Sequence, residues 1–264
     1  MEFKRLFFAV EVIAPWPDQF PNGRILLETD RHLTLAFLGD VDVDRLQLLF
    51  SDFPKPSFSI GLAGIFDQVL FLPRDPPHVA AWHIQLLEQK EEFLVFQKVL
   101  SGWLEAQGFS PKDKNREFLS HMTIARQPFV LREWKETFQK LPLFLKDLRL
   151  CESLGDSKYK VLWNQSILAP FDSIEHTADL AFRVRGTSFS QLHLHAQLSL
   201  SFHFPPLIQY FSFAEVSSLE QIISSLNRII AQVDTEIGCP FKAVSFHGDL
   251  WVHDFLEWEM IVDV

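Results

Sequence analysis

Two short segments hold the residues best suited to chemistry, His32-Leu33-Thr34-Leu35 and His121-Met122-Thr123-Ile124. Side chains alternate along a β-strand, so residues i and i+2 point to one face. Each segment, read as a strand, sends a histidine and a threonine one way and two apolar side chains the other. Two such strands side by side present two imidazoles and two hydroxyls to a single cleft. Histidine exchanges its proton near neutral pH, so one imidazole can take a proton from an attacking water while the other gives one to a leaving oxygen. The hydroxyls can donate to non-bridging phosphate oxygens, where negative charge must be held. That set suits phosphodiester hydrolysis without a metal. Arg126 is in phase with Ile124 rather than Thr123, so its guanidinium reaches a phosphate only if the strand bends. His78 and His83 lack such pairing and read as surface or packing residues. Asp30 and Arg31, just before His32, read as turn residues.

The elements that must position these groups follow from periodicity and punctuation. Residues 3–13 read as a strand, and 14–22, with Pro15, Pro17 and Pro21, as a loop. Residues 32–38 form a strand closed by Gly39-Asp40, followed by a short helix over 43–50. Strands are expected at 57–62, 68–72 and 79–84, with a proline-rich turn at 73–77. A helix over 86–107 is stopped by Gly108. Strands follow at 121–125, 148–154 and 158–167. The two motifs stand 89 residues apart, too far for a solenoid repeat. That spacing fits two pseudo-symmetric lobes, each giving one strand to the cleft.

The pattern changes near Pro170. A strand at 182–185 and a helix at 188–200 precede a second helix from Leu219, capped by Ser217-Ser218 and closed by Gly238. Strands at 241–246 and 257–264 complete this part. The expected organisation is two α+β domains, 1–169 and 170–264.

Composition bounds the function. The chain has 264 residues, 47% hydrophobic and 22% charged, enough for a sizeable core, which its 27 phenylalanines would fill. No run of about 18 apolar residues exists, so no membrane span is expected. The apolar stretch Leu6 to Ile13 is followed by Pro15-Trp16-Pro17, not by a small-residue cleavage site, and reads as a strand rather than a signal peptide. Cys151 and Cys239 belong to no metal-like cluster, and a reducing, cytoplasmic setting is expected. A net charge of −10 argues against a broad surface coating nucleic acid. From Pro170 onward there are 12 acidic against 4 basic side chains, and before it 22 against 20. The first part tolerates a phosphate chain locally, whereas the second repels one.

RLFFAV from Arg5, HLTLAFLGDV from His32 and HMTIAR from His121 together resemble the two-histidine phosphoesterase superfamily. The nearest branch is that of the RNA 2′,3′-cyclic phosphodiesterases, also described as 2′-5′ RNA ligase-like proteins. The resemblance covers about residues 3–168 and implies a two-lobed pseudo-symmetric domain. It implies hydrolysis of an RNA 2′,3′-cyclic phosphate to a 2′-phosphate without a cofactor, with a 2′-5′ linkage formed in reverse. By the same resemblance His32 protonates the leaving 3′ oxygen and His121 activates water. Thr34, Thr123 and Arg126 would bind the substrate.

EHTADLAFRVRG from Glu175, the helix over 188–200, FKAVSFHGDL from Phe241 and the closing MIVDV resemble archease. Archease is a partner of the tRNA-splicing RNA ligase RtcB and promotes its guanylylation. The resemblance implies a small, shortened archease-like α+β domain. Residue chemistry alone leaves Asp263 and the adjoining chain-end carboxylate open between a solvated acidic tail and a site for a hard cation. The resemblance implies that Asp179, Asp263 and Val264 hold Ca²⁺, Mg²⁺ or Mn²⁺, and that Lys242 serves the partner. The chain then reads as a fusion for RNA end processing or tRNA splicing. Two alternatives remain, a mainly non-catalytic activator of an RNA ligase and a phosphodiesterase of small cyclic or 2′-5′ nucleotides.

Overall fold

A computed structural model of the chain describes residues 2–112, 117–176, 179–245 and 248–264. The first part contains β1 (Phe3–Ile13), β2 (Arg24–Ile25), β3 (His32–Asp42), α1 (Val43–Gln47), β4 (Leu62–Leu72), β5 (Val79–Leu86), α2 (Lys90–Ala106), β6 (His121–Arg126), α3 (Leu131–Glu136), β7 (Leu141–Gly155) and β8 (Lys158–Gln165). The second contains β9 (Phe171–Ile174), β10 (Leu180–Gly186), α4 (Phe189–His203), α5 (Leu219–Ile237), β11 (Ala243–Val244), β12 (Leu250–Val252) and β13 (Leu256–Asp263).

Eight strands form one sheet in the order β1-β3-β6-β5-β4-β7-β8, with β2 on β6. Strand β7 also pairs with β1, so the sheet closes on itself in a barrel-like ring. The motif strands β3 and β6 lie next to each other, flanked by β1 and β5. Strand β7 serves both halves because its first residues pair with β4 and its later ones with β1 and β8. The expected pairing of motif strands is thus present. The apolar partners within them, Leu33, Leu35, Met122 and Ile124, are buried in a core that also takes Phe93, Phe96, Leu100 and Leu104 of α2.

Several boundaries differ from expectation. Strand β3 continues through Gly39, whose φ of +75° lets the chain turn without ending the ladder. Segments 57–62 and 68–72 are not two strands. Strand β4 runs unbroken from Leu62, and before it only Ile60 bridges, to Leu168. Helix α2 starts at Lys90, and β7 starts at Leu141, before the alternation becomes readable. Helix α3 and strands β9 and β12 carried no usable pattern. Strand β11 is limited to Ala243–Val244, and Phe246 lies outside the described residues, as do positions 177–178 and 247 of the archease-like segments.

The second sheet has the order β11-β13-β10-β9, with β12 on β13. Helix α5 is amphipathic, with Ser218 Oγ accepting from the Gln221 amide and Ile222, Ile223, Leu226, Ile229, Ile230 and Val233 buried. Helix α4 is buried from Gln191 to Ser201 on every face. Its core is continuous with the outside of the first sheet through Phe144, which packs on Phe171 and Phe202 at 5.5 Å each. Glu88 crosses the same junction to His195 Nε2 (2.6 Å) and Gln191 Nε2 (2.7 Å). Among the described residues no helix is long and apolar enough to cross a membrane.

Candidate active site

Leu33 of β3 pairs with Met122 of antiparallel β6. That register sets His32 opposite Thr123 and Thr34 opposite His121. Each motif strand then carries one extra residue. On β3 the partners step from Ala9↔Thr34 to Phe8↔Ala36, skipping Leu35; on β6 they step from Ala81↔Thr123 to Ala80↔Ala125, skipping Ile124. A bulge of one residue shifts the alternation, so the third residue after each threonine joins its face. This bend brings Arg126 into the cleft, and the equivalent bulge brings Phe37. The six positions His32–Phe37 and His121–Arg126 accordingly share one burial pattern. The repeated alanine and sixth position of HLTLAF and HMTIAR were the sequence signal for Phe37.

The cleft has a volume of about 230 Å³ and is lined by His32, Thr34, His121, Thr123 and Arg126, joined by Arg5, Phe7, Asp30, Phe37, Ser153 and Tyr159. Each histidine directs Nδ1 at the carbonyl two residues before it, His32 at Asp30 O (2.9 Å) and His121 at Leu119 O (2.7 Å). A carbonyl only accepts, so Nδ1 carries the proton and Nε2 of each ring remains for chemistry. His32 stacks on Phe7 at 4.7 Å and meets Tyr159 edge-on at 4.8 Å. Burial pushes the His32 pKa down to about 4 against the pull of the Asp30 carbonyl, and Arg149 and His121 push the same way as burial. Arg126 Nε donates to Ser157 Oγ (2.5 Å), and Arg5 stands 4.9 Å above the Phe37 ring. Asp30, the sole carboxylate among the described lining residues, accepts from the Tyr159 amide at 3.0 Å.

His83 bonds Asp67 at 2.7 Å and His78 contacts Gln127 at 3.5 Å, neither in the cleft lining. Residues 28–30 do form a turn, but Asp30 and Arg31 are both buried rather than solvated. Arg31 points away from the cleft, to the Leu26 carbonyl (3.1 Å) and over the rings of Trp16 and Phe20.

In the second part, Leu180 pairs with Val262, and continuing that register places Asp179 beside Asp263. Lys242 joins them, its amide donating to Asp263 O (2.8 Å) and its Nζ to Val264 O (2.5 Å). His176 Nδ1 lies 3.5 Å from Asp179 Oδ2. The four residues singled out in the sequence thus gather at one sheet end. The oxygen donors are of the type a hard cation takes. The Lys242 ammonium partly offsets those oxygens, while His176 Nδ1 accepts from the Asp179 amide (3.3 Å). Among the described residues no three His, Cys, Asp or Glu side chains form a metal-holding group.

No family model matches the chain, and no curated protein matches it. Solved structures do. A crystal structure described as a phosphoesterase is 20% identical with a TM-score of 0.44, over 63% of this chain and 99% of the other. LigT of E. coli in its apo form is 20% identical with a TM-score of 0.45, over 64% and 99%. TT0787 of Thermus thermophilus is 19% identical with a TM-score of 0.44, over 62% and 98%. None of these is described as an archease.

Proposed function

We propose that the protein hydrolyses the 2′,3′-cyclic phosphate end of an RNA to a 2′-phosphate. The observation that carries this reading is the crossed pairing of two histidines and two threonines, with both Nε2 atoms available in one cleft. Water attacks phosphorus and gives its proton to His121 Nε2. The bond from phosphorus to the 3′ oxygen breaks, and that oxygen takes the proton of His32 Nε2. The phosphate anion offsets the burial that disfavours the imidazolium, so His32 takes up a second proton, on Nε2, as substrate binds, and that is the proton it gives. Thr34 and Thr123 donate to non-bridging oxygens while Arg126 balances their charge. None of these steps needs a metal, and the reverse sequence forms a 2′-5′ linkage.

The proposal extends to the acidic second part as an archease-like module that assists an RtcB-type ligase, which consumes the same RNA ends, in the cytoplasm. There Asp179, Asp263 and Val264 would take a divalent cation, with Lys242 beside them for the partner. Phosphorus NMR of digests tests the reaction on three substrates, an oligonucleotide ending in a cyclic phosphate, a small cyclic nucleotide and a 2′-5′ dinucleotide. A 2′-phosphate from the oligonucleotide is expected. A 3′-phosphate as main product, or turnover of the small nucleotides alone, overturns the assignment.

A further inference from the structure

The two histidines have equivalent backbone partners but unequal surroundings. Both give Nδ1 to the carbonyl two residues upstream. Upstream of His121 that residue is Leu119, exposed and without a polar side chain. Upstream of His32 it is Asp30, whose side chain is buried and accepts from the Tyr159 backbone amide at 3.0 Å. Tyr159 sits just after the turn joining β7 to β8, and its ring meets both His32 (4.8 Å, 90°) and Phe7 (5.2 Å, 82°). The same turn is tied across the cleft by Ser157 to Arg126.

We propose that Asp30 is a positioning residue for His32, fixing the imidazole through its carbonyl and, through its carboxylate and the Tyr159 amide, holding the Tyr159 ring against that imidazole. One residue thereby sets both the tautomer and the enclosure of one histidine and leaves the other open. Its effect is chemical because an imidazole between Phe7 and Tyr159 is shielded from water, which disfavours the imidazolium. Among the described residues, the other titratable and charged groups around His32 are Arg5 on β1, His121 and Arg126 on β6, Arg149 on β7 with its partner Glu11 on β1 at 2.5 Å, and the Tyr159 phenol on β8.

This inference rests on the proposed phosphodiesterase reading for its kinetic arm only. The His32 ring is titrated by NMR in the full-length protein, without substrate, for wild type, Asp30→Ala, Asp30→Asn and Tyr159→Ala. The Asn side chain keeps an oxygen that accepts from the Tyr159 amide. Asp30→Asn should therefore retain the wild-type titration, while Asp30→Ala and Tyr159→Ala should move it up toward the ordinary value of about 6.5. In parallel, Asp30→Ala should lower kcat/KM on a cyclic-phosphate oligonucleotide roughly 10–100-fold through misplacement of His32, and Asp30→Asn should restore it. An unmoved titration in Asp30→Ala overturns the proposal, as does an Asp30→Asn protein that behaves like Asp30→Ala. If no variant, wild type included, turns over the oligonucleotide, the functional reading fails while the titrations still decide the role of Asp30.

Discussion

Leu33 and Met122 face one another at the junction of β3 and β6, and that apolar pair fixes the register of everything polar around it. A slip of one residue between the two strands would turn the histidine of the slipped strand into the core and its apolar side chains into the cleft. The crossed arrangement of His32 with Thr123 and Thr34 with His121 is thus a consequence of burying Leu33 and Met122, both fully inaccessible.

The hydroxyls should matter individually. Replacing Thr34 or Thr123 by valine keeps the shape and removes one donor to the phosphate. Each change should lower kcat by about 10²-fold, in the range seen when one donor to a developing oxyanion is lost. Thermal melts should stay within a few degrees of wild type, since both side chains are only half buried. Wild-type kcat in both variants would remove the threonines from the reaction.

The junction of the two parts should depend on one buried pair. His195 is fully buried, with Nδ1 at the Arg185 carbonyl and Nε2 at Glu88, both at 2.6 Å. Burial pushes the Glu88 carboxyl up, but the His195 charge and the bonds from His195, the Ala63 amide and Gln191 leave it below the usual range. Removing one partner strands the other, so Glu88→Ala or His195→Ala should cost on the order of 3–5 kcal/mol in urea unfolding. The double mutant should cost less than the two single losses together. Additive losses would show that the pair is not coupled.

Acid should weaken the fold. Burial holds both His32 and His193 down to about 4. Their unfolded values lie near 6.5, so between about pH 6.5 and 4 the unfolded chain binds more protons than the folded one. Stability is therefore full above about pH 6.5 and declines as pH falls toward 4, by a few kcal/mol in all. The depressed Glu88 carboxyl acts with the same sign at lower pH. Urea midpoints at pH 7.5, 6 and 5 measure this, and His193→Phe should flatten the decline. A midpoint that rises on acidification contradicts the assignment.

How far the sequence exposes these features depends on periodicity. The first four residues of β3 and β6 alternate cleanly because one face is core and the other cleft, and α5 shows its stripe because only one side is covered. Helix α4 instead alternates Leu192, Leu194, Ala196, Leu198 and Leu200 like a strand. It stands as a helix because all its faces are buried, its polar side chains other than His193 bonding within the helix or to Ser212, Glu88, Thr187 and the Arg185 carbonyl. Strand β7 opens on Leu141-Pro142-Leu143-Phe144-Leu145, buried on both faces and so without alternation. In the cleft, His32, His121 and the threonines were legible as a local repeat. Arg126 became legible in place only through the bulge at Ile124. Arg5 and Tyr159 were not, because β1 pairs with β3 and β8 is joined to it through β7, in pairings no local pattern records; Asp30 was not, because its partner is the distant Tyr159 amide.

The most direct measurement of the central claim is turnover of an oligoribonucleotide ending in a 2′,3′-cyclic phosphate by wild type, His32→Ala and His121→Ala, each with and without EDTA. Wild type should open the ring at the same rate under both conditions. Each single variant should be slower by a factor on the order of 10²–10⁴, as expected for loss of one proton-transfer partner. The double variant should fall well short of the product of the two factors, because the imidazoles act as a unit. Near-wild-type turnover in His121→Ala, or loss of wild-type activity with EDTA, would contradict a metal-independent two-histidine mechanism.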